Sequence, residues 1–184
     1  LSFVDQQDPE SLLKTLEQYI CSHFPQNLLL VGFALGGTIA QCLSSRIHQT
    51  KAILSISGPS YMDEPLKLNL ERLVSFLEQA ELNKAIDLLH EFVLPSGDKN
   101  KIIPSPSLTS DEQSLASQRL YKGFNLLLQL DSRKTVQQFI GKFLSIVGEQ
   151  SQLATLHNQA LTQCRNHEYK VIKHAGMRPW EENP

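Results

Sequence analysis

The chain has 184 residues, of which 41% are hydrophobic and 20% charged, and a formal net charge of −2. That is enough apolar material for one packed domain and excludes an intrinsically disordered chain. With no polybasic run and no basic patch interleaved with aromatics, nucleic acid is excluded as an expected partner.

Leu1 to Glu10 carries acids and no basic stretch, so it does not read as a signal peptide. No methionine opens the sequence, and the expectation is a segment from inside a longer protein or a processed product. Asp8-Pro9-Glu10 has the form of a helix start: an N-cap, a proline at the first helical position and an acid in the first turn. Leu12, Leu13, Leu16, Tyr19, Ile20 and Phe24 follow at helical spacing, and Pro25-Gln26-Asn27 ends the run. Leu28 to Val31 is short and wholly apolar, the pattern of a strand buried on both faces. A glycine turn leads into a second helix from about Gly36 to His48. Lys51 to Ser57 reads as another buried strand, ended by Gly58-Pro59.

From Asp63 to Ile140 the pattern is helical throughout. Leu70, Leu73, Val74 and Leu77 form one stripe; Leu82, Ala85, Ile86, Leu89 and Phe92 form another. Leu94 to Ser110 reads as a proline-containing loop. Leu120, Phe124, Leu127 and Leu128 continue the helical material, and Asp131-Ser132 is placed to cap a helix carrying Val136, Phe139 and Ile140. Strand signals return at Phe143 to Val147, a helix is predicted near Leu153 to Cys164, and a last strand at Tyr169 to Ile172. This alternation predicts an α/β fold, a parallel sheet with covering helices interrupted by one helical block.

Metal and redox chemistry find little support. Cys21, Cys42 and Cys164 are odd in number and far apart, as expected of reduced thiols in the cytoplasm. His23, His48, His90, His157 and His167 show no metal-ligand spacing, so neither a metal nor a cofactor is predicted. No apolar run approaches the ~18 residues that span a bilayer. The polar faces of the helical block mix both signs (Glu71, Arg72, Glu78, Lys84, Asp87), which favours packing on its own domain over binding a membrane surface.

The most specific local feature is Leu28-Leu29-Leu30-Val31-Gly32-Phe33-Ala34-Leu35-Gly36-Gly37, an apolar strand that runs through a tight glycine turn straight into a helix. It reads as G-x-S-x-G with alanine in place of serine. Two distant segments match the same pattern: Val147-Gly148-Glu149-Gln150-Ser151, a strand end with a Gly-Glu turn, and His174-Ala175-Gly176-Met177 before a proline-containing stretch. Together, and in this order, they resemble the nucleophile elbow, acid loop and histidine loop of the α/β-hydrolases, in the capped esterase and lactonase branch.

The resemblance implies a partial α/β-hydrolase sheet. Residues 1–62 and 141–184 would form the core and residues 63–140 a helical cap. It places Ala34, Ser151 and Met177 at the nucleophile, acid and histidine positions, a degenerate triad that cannot perform acyl transfer. Three losses together favour decay or repurposing over a single serine-to-alanine change made in the laboratory. His174 and Glu149 lie near the histidine and acid positions, yet a pair shifted onto them would still lack a nucleophile. A small ligand under the cap would meet Phe33, Ala34, Leu35, His174 and Met177.

The first strands of such a sheet, and the helix that follows the histidine loop, have no counterpart in the sequence. Leu28 to Val31 would then be a bare apolar edge, covered by self-association, a partner chain or an N-terminal part. The function expected is a catalytically inactive hydrolase homologue that binds a small ligand or a protein partner. The alternatives are a carboxylic-ester or lactone hydrolase seen as a mutated or incomplete chain, and an assembly subunit that completes a sheet with another chain.

Overall fold

The protein is described here by a computed structural model covering residues 8–96 and 108–183. The sequence's first seven residues and most of the Leu94 to Ser110 loop lie outside the described residues.

Asp8 caps α1 (Pro9–His23) by accepting the Ser11 N–H at 2.7 Å, and Pro9 supplies the preset backbone of the first turn. Strand β1 (Leu28–Phe33) passes directly into α2 (Leu35–Leu43), which is shorter than the span to His48 predicted from sequence. Strand β2 (Thr50–Ile56) precedes four helices: α3 (Glu64–Glu78), α4 (Leu82–Val93), α5 (Ser110–Gln129) and α6 (Arg133–Gln138). Strands β3 (Lys142–Gly148) and β4 (His167–Ile172) follow, and one helical turn, α7 (Pro179–Glu182), comes after the histidine-position loop.

The four strands are parallel and lie side by side in chain order. One sheet face is covered. On it Ile53, Phe143, Ala40 of α2 and Val136 and Phe139 at α6 form a cluster with Ala160, and Leu30 and Tyr169 pack against it. Leu12 and Leu13 of α1 join Ile39, Cys42 and Leu43 of α2, together with Leu126 and Leu130. The helical block α3 to α5 has its own apolar seam through Leu77, Leu82 and Ala85, with Ala116, Leu120 and Phe124 against it.

Three expectations need correction. Strand β1 is not buried on both faces: its burial alternates, and Leu29, Val31 and Phe33 are exposed. The reason is its position at the edge of the sheet, with that face uncovered. The helix expected near Leu153 to Cys164 is absent; only a 3-10 turn, Leu156–Asn158, forms there. Side chains take the backbone groups a helix would need. Asn158 Nδ2 donates to the Leu153 carbonyl, the Tyr61 hydroxyl to that of His157, and the Tyr169 hydroxyl to that of Ala160, at 2.8, 2.6 and 2.7 Å. Lastly, the expected Asp131-Ser132 cap of α6 is divided: Asp131 Oδ1 accepts the Arg133 N–H at 2.9 Å, while Ser132 makes no cap bond. Its hydroxyl donates instead to Gln41 and to the Ser60 carbonyl, both at 2.9 Å.

That diversion of Ser132 belongs to a fully buried polar network. Gln41 Nε2 donates to Ser55 Oγ (2.8 Å) and the Gly58 carbonyl (2.9 Å), while Gln41 Oε1 accepts from Ser60 (2.6 Å) and Ser132 (2.9 Å). One amide thus ties α2 to the end of β2 and the start of α6. Replacing it orphans several buried groups at about 1–3 kcal/mol each. Gln41→Leu is expected to lower the unfolding free energy by at least about 3 kcal/mol, read from urea denaturation.

Candidate functional site

The site is built where the strands end. Ala34 sits between β1 and α2 with φ 49° and ψ −122°, a conformation that strains any residue with a β-carbon and costs on the order of 1–3 kcal/mol. It is held from both sides. The Ala34 N–H donates to the Ile56 carbonyl at 2.9 Å, and its carbonyl accepts from Gly37 and Thr38 at 2.9 and 3.2 Å. The turn is tight enough that a β-carbon on Gly32 would lie 2.1 Å from the Gly36 carbonyl oxygen, and one on Gly37 would lie 2.7 Å from Ser55 Oγ. The strand-to-helix turn is therefore tight and closed around a methyl group. Leu35 follows as the first residue of α2, where N–H groups have no acceptor within the helix.

The second close approach joins the acid-position loop to the histidine-position loop. A β-carbon on Gly148 would lie 2.1 Å from the Gly176 carbonyl oxygen. The Gln150 N–H donates to Ala175 and the Glu149 N–H to Ile172, both at 2.8 Å. Ser151 and Met177 meet as a result. Ser151 Oγ donates to Met177 Sδ at 3.2 Å and accepts the Ala154 N–H at 3.2 Å. Both side chains are buried, and Met177 is only 4% exposed. Met177 is part of an apolar cluster with Leu66, Leu70 and Leu73 of α3, Leu88 and Phe92 of α4, and Val147; Ala34 packs against the same cluster.

The Met177 loop is clamped on two sides. Its N–H donates to the Val93 carbonyl at the end of α4, at 3.1 Å. On the other side Glu182 Oε2 accepts from the Gly176 and Arg178 N–H groups at 2.6 and 3.3 Å. Glu182 went unnoticed in the sequence; its only signal there is an acid three residues after a proline that starts a helical turn.

The other residues named from sequence do not all face this cluster. Phe33 is exposed and meets Trp180 of α7 edge-on, with ring centroids 5.0 Å apart. Leu35 packs toward α1 and α2, and α5 passes it at Gly123, where a β-carbon would stand 3.8 Å from Leu35 Cδ2. His174 is on an exposed turn with φ 58°, its N–H donating to Glu149 Oε2 at 3.1 Å. Among the described residues no substitute nucleophile stands out nearby. Ser57 is fully buried and its hydroxyl has no hydrogen-bond partner among the described residues. Burial pushes the Cys42 thiol up to about 12, so it stays protonated.

Similarity to known proteins follows the geometry. A model of an uncharacterised protein family, UPF0227, matches residues 3–64. No curated protein matches the sequence. Among solved structures, an α/β-hydrolase enzyme from a Medee basin deep-sea metagenome library is 14% identical, covering 98% of this chain and 69% of its own, at a TM-score of 0.75. A bromoperoxidase from Bacillus anthracis is 17% identical over 94% of this chain and 68% of its own, at 0.72. A hydrolase from Oleispira antarctica is 16% identical over 96% and 68%, at 0.68.

The two glycines at the ends of the elbow should respond oppositely to the same change. Gly32→Ala is expected to cost at least about 3 kcal/mol, since backbone must move to admit the methyl group. Gly36→Ala meets nothing within 4 Å and is expected to be neutral or stabilising by up to about 1 kcal/mol. Chemical denaturation of both variants checks the pair. The elbow turn, the parallel sheet and the matches to solved hydrolases together give this chain an α/β-hydrolase fold.

Proposed function

We propose that this α/β-hydrolase-fold protein is catalytically inactive and acts by binding a small ligand or a protein partner, with α3 to α5 serving as a cap over the strand ends. The observation that carries the reading is the Ser151–Met177 contact. It stands where the resemblance puts acid and base, beside an elbow that presents Ala34. An acyl transfer needs a nucleophile, a base to take its proton and a carboxylate to orient the base. Ala34 offers no nucleophile, a thioether does not accept a proton near neutral pH, and a serine hydroxyl carries no charge to stabilise an imidazolium. The apolar surroundings of Met177 support the same conclusion, because a cationic intermediate there would be heavily desolvated.

The three cysteines are free thiols, which fits a cytoplasmic setting. Among the described residues no helix is long and apolar enough to cross a membrane.

Two assays test the reading on the native chain and on Ala34→Ser. Neither protein is expected to hydrolyse a short p-nitrophenyl ester above the buffer rate or to be labelled by a fluorophosphonate. Turnover by the native chain that the fluorophosphonate blocks would overturn the proposal. So would recovery of esterase activity from the single serine, since a working acid and base would then have to be present.

A further inference from the structure

His167 is the first residue of β4 and is only 9% exposed. Three elements close around its ring. The end of α6 supplies Phe139, stacked on it at 6.0 Å between centroids, and β3 supplies Phe143, edge-on at 5.3 Å. The loop before β4 supplies Thr162, whose Oγ1 lies 2.7 Å from Nδ1. Nε2 is buried and has no hydrogen-bond partner among the described residues.

This box suits a neutral imidazole. In either tautomer Nδ1 pairs with Thr162, as acceptor or as donor. A second proton leaves a charged N–H at Nε2 with neither water nor acceptor, which costs far more than an orphaned neutral nitrogen. The charged groups on the surrounding elements do not offset it. Arg133 and Lys134 of α6, Lys142 of β3, Arg165 of the loop, and Glu168 and Lys170 of β4 are exposed, and Glu168 pairs with Lys170. The other titratable groups there, Cys164 and Tyr169, are half-buried, and burial raises the Tyr169 pKa, so that phenol stays uncharged. Burial holds the His167 pKa below the ordinary 6.5, with the Phe139 carbonyl pulling by a smaller amount the other way.

What the ring holds in place is the start of β4. His167 stands opposite Phe143 in the first pair of the β3–β4 ladder. The Phe143 N–H donates to the Asn166 carbonyl at 2.9 Å, and the His167 N–H to that of Cys164 at 3.0 Å. The Tyr169 hydroxyl donates to the Ala160 carbonyl at 2.7 Å, and Asn166 Nδ2 to that of Ile140 at 2.9 Å. These bonds belong to one loop and one strand end, so breaking them leaves the pairing of β1 with β2 untouched.

We propose that residues 159–170 form an acid-sensitive latch: the neutral His167 ring closes the junction of loop and β4, and its protonation favours a locally open form in which Nε2 reaches water. An open ring titrates near 6.5 and the closed ring lower. The latch is therefore fully closed above pH 6.5. As pH falls from there toward the closed-state pKa, the open form takes the proton first, and the opening constant rises by up to about tenfold per pH unit.

Hydrogen exchange read by mass spectrometry, corrected for the intrinsic pH dependence of amide exchange, tests the latch between about pH 7.5 and 5. Peptides from 159–170 are expected to lose protection by up to about tenfold per unit below pH 6.5, while β1 and β2 keep theirs. His48→Gln, at an exposed histidine, is expected to keep the response, and His167→Gln to abolish it. A nuclear magnetic resonance titration of the ring in the native chain is a second readout that needs no variant, with an expected midpoint below 6.5. Constant protection across the range, a loss equal throughout the chain, a response that survives in His167→Gln, or a midpoint at or above 6.5 would overturn the inference. The last result would mean that the phenyl rings hold the cation.

Discussion

At Gly32 and at Gly148 backbone meets backbone more closely than a β-carbon permits, and the C-terminal end of the sheet depends on it. At Gly32 the first turn of α2 folds back onto β1. At Gly148 the chain leaving β3 is pressed against Ala175 and Gly176. The first approach sets the angle at which Ala34 is displayed. The second brings Ser151 and Met177 into contact across 26 residues of sequence. Such constraints hold whatever side chains they position, because any side chain at these glycines forces the main chain to move.

Parts of this were legible in the sequence and parts were not, for physical reasons. The elbow was readable because its constraint is local: glycines at fixed offsets between an apolar strand and a helix. The four strands were readable from short apolar runs, and α1 from its Asp8-Pro9 start. The segment after β3 was misread because Leu153, Leu156, Ala160 and Leu161 have plausible helical spacing. What decides its conformation is Asn158, Gln159 and Tyr169 donating to main-chain carbonyls, and none of those contacts leaves a periodic trace. The Gln41 network was invisible for the same reason, since its members are 14 to 91 residues apart. The exposed face of β1 was misjudged because a run of leucines says that a strand prefers burial and nothing about what supplies it.

Within the candidate site, sequence alignment to a pattern placed Ala34, Ser151 and Met177, and the fold assembles the last two into one contact. Phe33 and His174 show the limit of that method. Each neighbours a pattern residue by one to three positions, yet one faces Trp180 and the other lies on an exposed turn. In a strand the side chain at the next position points to the opposite face, so adjacency in sequence is not adjacency in a pocket.

The clamp on Met177 has a consequence for motion. An enzyme that admits substrate beneath a covering element needs that element to lift without disturbing the sheet. Here the end of α4 holds the Met177 N–H, and Leu66, Leu70, Leu73 and Phe92 pack in one cluster with Val147 of the central sheet. Lifting the block breaks that bond and exposes the cluster to water. Opening is therefore a cooperative partial unfolding, slower and rarer than the swing of a surface loop. The helices over the strand ends thus belong to the same packed unit as the sheet, a wall rather than a door.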